Sequence, residues 1–329
     1  MCTMKAIRFE SYGSPSILSM KEIPMPVLQK GEVLIQIKAA AINPSDVKIV
    51  AGIIKASLPR VPGRDYAGVV VDGEAKKGME VWGSGAGFGV TRDGCHAEYL
   101  AVPAGWISQK PTNLTMEQAA AIGVPYVTAW CTLVLAGNIQ AGETVLIIGV
   151  SGAVGQAATQ IAHWKKAHVI GASTSSENPS GADAIINITI LHLEEEVRKL
   201  TQGKGVDLVL DAVGGSMFEH GLKALCRGGR QIAITTTKDR KVSFDLLEFY
   251  HNQLHLIGVD TMKLSGTETA DLLQSLRFGF QEGYLQAPAV TTWPLERALE
   301  AYMAVEKGGS LTKQVLIPHP DSCKGDETW

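Results

Sequence analysis

The chain has 329 residues, a formal net charge of -3 and 45% hydrophobic residues. This composition excludes a disordered protein, and it lacks the strong positive charge that nucleic-acid binding requires. A chain of this length usually divides into two domains. Its five cysteines are scattered and include no C-x-x-C pair, which argues against a disulfide framework or a zinc knuckle and is typical of a reducing compartment.

No apolar segment is long enough to span a bilayer, and the first residues, MCTMKAIRFE, lack the apolar core of a signal peptide. The sequence therefore predicts a soluble, cytoplasmic protein with no membrane partner. Because the net charge is small and negative, we expect a small neutral or anionic molecule as its partner rather than a nucleic acid.

From Met4 to about Val102 the sequence consists of short apolar segments separated by proline and glycine. This spacing predicts a compact, mostly β barrel or sandwich, interrupted by a helix that starts at Asn43. Further on, Thr115 and Gln118 form a capping box. They predict a helix that runs through QAAAIGVPYVTAWCTLVLAG and links the two halves of the chain.

After Gly142 predicted strands and helices alternate, a pattern that requires a parallel sheet with helical crossovers. The most informative segment is TVLIIGVSGAVGQAATQIA, residues 144–162, where a buried strand, a glycine turn and a helix follow one another. We therefore predict an α/β protein that combines a mostly β domain with a doubly wound parallel sheet.

The glycines of this segment predict a nucleotide site, because an approaching pyrophosphate needs small side chains and the positive end of a helix. Gly149, Gly152 and Gly155 are spaced three apart, but Val150 occupies the first glycine position of the usual G-x-G-x-x-G fingerprint. Glycines at this spacing also occur in turns that bind nothing. The strand before them and the helix after them favour the nucleotide site.

Several segments in succession resemble the zinc-independent, quinone oxidoreductase-like branch of the medium-chain dehydrogenase/reductase superfamily. They are AAAINPSDVK, LPRVPGRDYAGVVV, CHAEYLAVP, AAAIGVPYVTAW, VLIIGVSGAVGQAATQIA and GVDLVLDAVGG. The resemblance implies a GroES-like catalytic domain, residues 1–124 and 266–329, around a Rossmann domain, residues 125–265. It also implies NADPH as the hydride donor and a homodimer that pairs through the segment containing Ile257.

The resemblance also bears on metal binding. Zinc-bearing relatives have a cysteine near Asn43 and a histidine–glutamate pair near Arg64 and Asp65, and the sequence has none of these ligands. Cys95 and His96 are adjacent and find no further soft ligand nearby in the sequence. We therefore predict that no metal is bound.

Three residues are candidates for catalysis: Asn43, Tyr66 and Lys48. The resemblance places Asn43 beside the nicotinamide, but Asn43, Pro44 and Asp46 also fit a helix N-cap, a proline at the first helical position and an acid at the third. Tyr66 and Lys48 could donate a hydrogen bond to a developing enolate or quinol oxygen. Their alternative roles are strand packing or a place at the rim of the site.

The predicted coenzyme contacts lie in the glycine turn, at the ends of the strands beside it and in the linking helix. They are Thr128, Gly149, Ser151, Gly152, Ala153, Val154, Gly155, Ser173, Ser176, Val213, Gly214, Thr235 and Ile257. Thr128 could instead be a helix hydroxyl that bonds back to its own chain. Asp211 is more easily explained as a cap of its loop than as a coenzyme contact.

NADPH is favoured over NADH because serine and threonine hydroxyls, not a carboxylate, follow the strand that ends at Ser173. The family often has a lysine where Asn178 stands and a tyrosine where Ile188 stands, and both are missing here. The preference for NADPH is therefore predicted to be modest.

The sequence as a whole predicts an NADPH-dependent reductase that transfers hydride to a quinone or an α,β-unsaturated carbonyl compound without zinc. One alternative is an enoyl-thioester reductase, for which Lys55, Arg60 and Arg64 offer basic groups. Another is a non-catalytic, NADPH-binding sensor or structural protein. A zinc alcohol dehydrogenase fits the sequence least well.

Overall fold

The computed structural model describes residues 2–238 and 240–318. The chain forms two compact units: the first contains the residues up to Val124, Met262–Gly283 and the residues from Ala287 onward, and the second contains Pro125–Thr261 and Tyr284–Gln286. The division after residue 124 coincides with the predicted one. The chain returns to the first unit at residue 262 instead of 266, and three residues near 285 belong to the second unit. Cys323 lies outside the described residues.

The second unit is built on a parallel sheet, which contains six strands within the described residues. In spatial order they are β10 (Ala184–Asn187), β9 (His168–Ser173), β8 (Thr144–Ile148), β11 (Val206–Asp211), β12 (Leu225–Ala233) and β13 (His255–Gly258). Every neighbouring pair is parallel. The central strand β8 is a run of aliphatic residues with Val145–Ile148 fully buried, as expected for a strand covered on both faces. This is the predicted doubly wound α/β sheet.

The helices between these strands are α4 (Ala153–Trp164), α5 (Leu193–Leu200), α6 (Met217–Ala224) and α7 (Leu246–His251). Before β8 comes α3 (Gly123–Trp130), which continues as a π-helical segment (Cys131–Ala136). One core cluster contains Leu146 and Ile148 of β8, Val197 of α5 and Leu222 of α6. The central strand and the crossover helices are therefore packed together by side chains that the apolar pattern had identified.

The first unit is mostly β. Its strands are β1 (Thr3–Arg8), β2 (Ser19–Pro24), β3 (Glu32–Ala41), β4 (Asp65–Gly73), β5 (Glu80–Gly83), β6 (Tyr99–Pro103), β7 (Ser108–Gln109), β14 (Val290–Pro294) and β15 (Lys313–Ile317). Within the described residues, β1 and β2 form a hairpin, and the other seven form one sheet in the order β14-β15-β3-β4-β5-β7, with β6 also on β3. This is the predicted GroES-like, mostly β domain.

Four α-helices complete the described part of the first unit: α1 (Pro44–Val50), α2 (Met116–Ala120), α8 (Gly266–Gln281) and α9 (Ala298–Lys307). The predicted capping box is present at α2, since Gln118 N–H donates to Thr115 Oγ1 at 3.2 Å and Thr115 N–H donates to Gln118 Oε1 at 3.0 Å.

The helix predicted to run on from Thr115 is, however, interrupted. α2 ends at Ala120 and α3 begins at Gly123, so that Pro125 lies in the first turn of the second helix. Proline has no N–H to donate, which disfavours the interior of a helix but not its first turn. Elsewhere in the described chain, no helix has the length and apolar character that crossing a bilayer requires.

Candidate functional site

The glycine turn connects β8 to α4 in the second unit. Gly149 has φ +84°, a conformation that side chains with a Cβ rarely adopt. A Cβ on Gly155 would lie 2.5 Å from the Gly149 carbonyl oxygen and 2.6 Å from Val150 Cα, so helix and turn can approach this closely only because residue 155 is glycine. Glycine is therefore required at both ends of the turn.

The middle of the turn is open. Gly152 and Ala153 are exposed, and Val154 is half-buried. Gly152 is the N-cap of α4, and the first-turn N–H groups of a helix have no acceptor within it. With the positive end of the helix dipole, these N–H groups form a place where a phosphate can bind. Ser151 is held beside it, its hydroxyl 2.9 Å from that of Ser173.

The end of β9 carries the predicted hydroxyl groups. Ser173 is buried, while Ser176 is exposed and accepts a hydrogen bond from Asn187 Nδ2 at 3.1 Å. Asn178 is used within its own loop, where its amide donates to the Ala182 carbonyl at 2.7 Å. The structure thus presents hydroxyls near the turn, and the side chain that stands where relatives often have a lysine is bonded elsewhere.

The loop after β11 is capped by its own carboxylate. Asp211 Oδ1 accepts hydrogen bonds from the N–H groups of Val213, at 3.0 Å, and Gly214, at 2.7 Å. This is the capping role that was the more plausible reading of Asp211. Thr235 was predicted to end β12, but that strand ends at Ala233 and Thr235 lies in the following loop. It is still close to the loop after β11, because a Cβ on Gly214 would lie 2.8 Å from the Thr235 carbonyl oxygen.

Thr128 and Ile257 complete the candidate coenzyme residues. The hydroxyl of Thr128 lies 3.3 Å from that of Thr261, a residue that sequence reasoning did not single out. The bond back to the helix that was expected as an alternative for Thr128 is made by Thr132 instead, whose hydroxyl donates to the Thr128 carbonyl at 2.9 Å. Ile257 is half-buried in β13, the last strand of the sheet in the described residues.

Asn43 lies in the interior of the first unit, 1% exposed. It is the N-cap of α1, and its backbone N–H donates to Asp46 Oδ2 at 2.7 Å, which is the local arrangement that the sequence suggested. Its side chain also bonds residues outside the helix. The amide donates from Nδ2 to Asp65 Oδ2 at 2.9 Å and accepts at Oδ1 from the Lys313 ammonium. The structure gives Asn43 a role in holding three segments together, and contact with a substrate stays a prediction.

The other two catalytic candidates differ from one another. Tyr66 is 1% exposed and packs edge-on against Phe88, 6.0 Å between ring centroids. Burial raises the pKa of its phenol, and no hydrogen-bond partner of the hydroxyl is found among the described residues. The structure shows the packing that was the alternative for Tyr66, and donation by its hydroxyl to a substrate stays a prediction. Lys48 is exposed on α1 and remains a candidate donor.

The interior of the first unit contains a group of charged residues, which we call the buried charge cluster: Asp46, Arg64, Asp65 and Lys313. Arg64 Nε lies 3.5 Å from Asp46 Oδ1. Burial raises the pKa of both carboxyls, and their pairing with the cations opposes this. Burial likewise lowers the pKa of Lys313, opposed by Asp65 and Asp46.

Asp65 is the most connected member of the cluster. Besides the amide of Asn43, it accepts hydrogen bonds from Ser84 Oγ at 2.6 Å and from the Val124 N–H at 2.9 Å, in the first turn of α3. A Cβ on Gly123 would lie 2.3 Å from Asp65 Oδ1. Neither Ser84 nor Lys313 was identified from the sequence, because each is remote along the chain from Asp65 and no local pattern points to them.

A zinc ion would need cysteine, histidine or carboxylate ligands that are free to bind it. Cys95 donates its thiol hydrogen to the Asp65 carbonyl oxygen, 3.3 Å away. Both ring nitrogens of His96 are engaged, Nε2 with the Ala41 carbonyl at 3.2 Å and Nδ1 with the Tyr302 hydroxyl at 2.9 Å. Among the described residues no group of three or more His, Cys, Asp or Glu side chains could hold a metal ion. These residues do not fit zinc.

Comparison with known proteins matches both units. Residues 29–112 match the family of alcohol dehydrogenase GroES-like domains, and residues 153–277 match the family of zinc-binding dehydrogenases. A zinc-type alcohol dehydrogenase-like protein of Schizosaccharomyces pombe is 35% identical over 288 residues, which are 85% of this chain and 86% of the relative. The chain belongs to the medium-chain dehydrogenase/reductase superfamily. It is an oxidoreductase of that superfamily.

Further similarity lies in the quinone oxidoreductase-like branch. The chain is 29% identical to human quinone oxidoreductase over 327 residues, 95% of this chain and 97% of the relative. Solved structures agree with the fold: an NAD-dependent alcohol dehydrogenase has a TM-score of 0.86 at 30% identity, covering 95% of this chain and 99% of its own. A mycobacterial protein complexed with NADPH has a TM-score of 0.84 at 26% identity, covering 96% and 100%. The superfamily member described here is thus quinone oxidoreductase-like.

Proposed function

We propose that this oxidoreductase uses NADPH to reduce a quinone or the β-carbon of an α,β-unsaturated carbonyl compound, without zinc. The observation that carries the proposal is the glycine turn between β8 and α4, at the carboxyl edge of a parallel sheet, where open α/β sheets bind their ligands. The turn is shaped for a pyrophosphate: glycine is required at Gly149 and Gly155, and Gly152 leaves open space.

NADPH is proposed as the coenzyme because hydroxyl groups surround the end of β9. The hydroxyls of Ser173 and Ser176 would donate hydrogen bonds to a 2′-phosphate, and the nearest carboxylate in the sequence, Glu177, follows both. The mycobacterial relative was solved with NADPH, which supports this choice, while another relative is named as NAD-dependent. Since Asn178 is bonded within its loop, the preference rests on hydroxyls and is modest.

The bound coenzyme would supply the hydride. The protein would bind and orient the coenzyme and the acceptor and would polarise the acceptor. The first-turn N–H groups of α4 would hold the pyrophosphate, and the backbone at Val213, Gly214 and Thr235 would face the nicotinamide half along the same sheet edge. In the first unit, the exposed ammonium of Lys48 would donate to the oxygen on which negative charge develops. An acceptor that is already electron-poor needs hydride and alignment, so a Lewis acid is not required.

We also propose a homodimer. The edge strand β13 leaves its outer backbone groups open to another strand, and Leu256 in this strand is 42% exposed. Tyr250 of α7, just before it, is 57% exposed. An apolar edge of this kind is suited to pairing with a second copy, and the molecular mass in solution tests it.

The function is tested by mixing the purified protein with NADPH and a panel of quinones, enones and enoyl thioesters, and following the loss of reduced nicotinamide absorbance. Calorimetry with NADPH and NADH measures binding separately. The matched control is Gly152→Asp, which fits the open turn but places a carboxylate where the pyrophosphate would bind. We expect turnover with a quinone or an enone in the natural chain and none in the control.

Other outcomes would favour one of the alternative functions. Turnover with enoyl thioesters alone would indicate an enoyl-thioester reductase. Tight NADPH binding without reduction of any acceptor would indicate a nucleotide-binding sensor. Failure of both coenzymes to bind would refute the proposal.

A further inference from the structure

Lys313 places an ammonium group inside the first unit. It is the first residue of β15, only 9% exposed, and its backbone N–H donates to the Ala289 carbonyl at 2.8 Å. Lysine is almost never fully buried unless it is paired, because the charged form is strongly disfavoured away from water. The burial of Lys313 therefore needs a specific compensation nearby.

The amide of Asn43 provides part of that compensation and is oriented by it. An ammonium can only donate and an ionised carboxylate can only accept. Oδ1 of Asn43 must therefore face Lys313, and Nδ2 must face Asp65, as the structure has them. If the amide were flipped, it would place its NH₂ group against the ammonium and its oxygen against the carboxylate. The orientation of Asn43 is thus fixed by the two charges on either side of it.

The opposite charges nearby provide the rest of the compensation for burying Lys313. The buried charge cluster contains two carboxylates and two cations, which sum to zero when all are ionised. Arg64 is already engaged, since its guanidinium bonds the Ser45 hydroxyl and lies against Asp46. Lys313 is therefore the cation that remains to balance Asp65, whose other partners, Ser84, Val124 and Asn43, are uncharged donors.

Without Lys313 the interior would hold one uncompensated negative charge. Proteins usually avoid this cost by protonation, by a second side chain or by a bound cation. A divalent cation would need several free ligands, but the candidate ligands near Asp65 already form hydrogen bonds. The Cys95 thiol donates to a carbonyl, and both His96 nitrogens are bonded. The donor set thus suits an internal ammonium and does not suit a metal.

We propose that Lys313 is the built-in cation of the first unit, which balances the Asp65 carboxylate and fixes the Asn43 amide, so that this unit needs no metal although its relatives include zinc-binding dehydrogenases. The proposal concerns charge and geometry inside one unit and does not depend on which coenzyme or acceptor the protein uses. Its tests therefore need no turnover.

The first test is a double-mutant cycle on stability. Lys313→Met keeps the length of the side chain but removes the charge, and Asp65→Asn removes the opposite charge. We expect Lys313→Met alone to lower the melting temperature by about 10 °C, since removing one partner of a buried pair leaves the other uncompensated. The double variant should lose much less than the sum of the two single variants.

The matched control is Lys307→Met, at the exposed end of α9, which should leave the melting temperature unchanged. Two single effects that simply add would refute the pairing. A melting temperature of the natural chain that rises on adding zinc or manganese, with one ion retained per chain after dialysis, would refute the claim that no metal is needed.

A second test measures the natural chain and uses a variant only to assign the signal. In protein labelled with ¹⁵N-lysine, the ammonium signal of Lys313 is assigned by its absence from Lys313→Arg. The charged groups that face it are Asp65 of β4, Asp46 of α1 and Arg64. We expect a protonated, slowly exchanging ammonium at neutral pH that loses its proton at a lower pH than the exposed lysines. A neutral amine at neutral pH would overturn the proposal.

Discussion

Several candidate residues of the second unit are exposed, whereas two of the three catalytic candidates of the first unit are buried. Gly152, Ala153 and Ser176 are exposed around the glycine turn, while Asn43 and Tyr66 are each 1% exposed. The second unit offers backbone N–H groups and hydroxyls that still have capacity for a ligand. In the first unit, the Asn43 side chain bonds both Asp65 and Lys313, and the Tyr66 hydroxyl has no partner among the described residues. From this contrast we expect coenzyme binding to depend on exposed groups of the second unit and stability to depend on the buried polar groups of the first.

The most direct test of this difference between the two units is at the glycine turn. Gly155→Ala should destabilise the protein by about 3 kcal/mol, because the new Cβ meets backbone atoms at 2.5 and 2.6 Å that cannot move aside cheaply. Gly152→Ala should leave stability unchanged, since only the Gly149 carbonyl oxygen lies near, at 3.4 Å. Its effect should instead be weaker NADPH binding. Denaturant unfolding and calorimetry measure the two quantities.

The pair of variants also serves as its own control, because both add one methyl group to the same turn. If Gly152→Ala were as unstable as Gly155→Ala, the middle of the turn would not be open. If neither variant changed coenzyme binding, the turn would not be the binding site.

The next prediction concerns His96, which is buried in the interior of the first unit and should make its stability depend on pH. Burial lowers the pKa of this histidine to about 4 from its usual 6.5, and it is bonded to the Tyr302 hydroxyl and the Ala41 carbonyl, with Asp65 as the nearest charge. The unfolded chain therefore binds a proton between these two pH values that the folded chain does not. Stability should fall as pH falls through this window, by about 2 kcal/mol between pH 7 and pH 5.

The comparison variant is His96→Gln, which can still accept from Tyr302 and donate to Ala41 but does not titrate. Its free energy of unfolding should lose the part of the pH dependence that His96 contributes, so the difference between the two proteins isolates this residue. Equal slopes would mean that His96 is protonated as readily in the folded chain as in the unfolded one, and that the interior is not sealed.

The sequence predicted the second unit well because its signals are local. The strand, the glycines and the helix of residues 144–162 follow one another, and α4 begins at Ala153 within the predicted segment. Where the prediction was wrong, the error was also local: Thr235 lies beyond the end of β12, and a new helix begins at Gly123 instead of the old one continuing.

The first unit was less predictable because its site is assembled from distant segments. The N-cap pattern at Asn43 was visible, but the direction of its side chain depends on Asp65 of β4 and on Lys313 of β15, 270 residues further along. No periodicity or motif links these positions. The sequence left strand packing open as an alternative for Tyr66, and its contact with Phe88, a residue 22 positions further along the chain, could not be read from a local pattern.

The smallest predicted effect concerns the exposed loop after β9 in the second unit. One added charge there should change the preference between NADPH and NADH. Ser176 is exposed, and its hydroxyl accepts a hydrogen bond from Asn187 Nδ2 of β10 at 3.1 Å. Ser176→Asp would place a carboxylate where the 2′-phosphate is proposed to bind, repelling NADPH and offering an acceptor to the ribose of NADH. We expect the ratio of the two dissociation constants to shift about tenfold towards NADH, or about 1.4 kcal/mol. Ser176→Asn, which has the same shape without the charge, should shift the ratio far less, so equal shifts in the two variants would show that the charge at this position is not what the coenzyme senses.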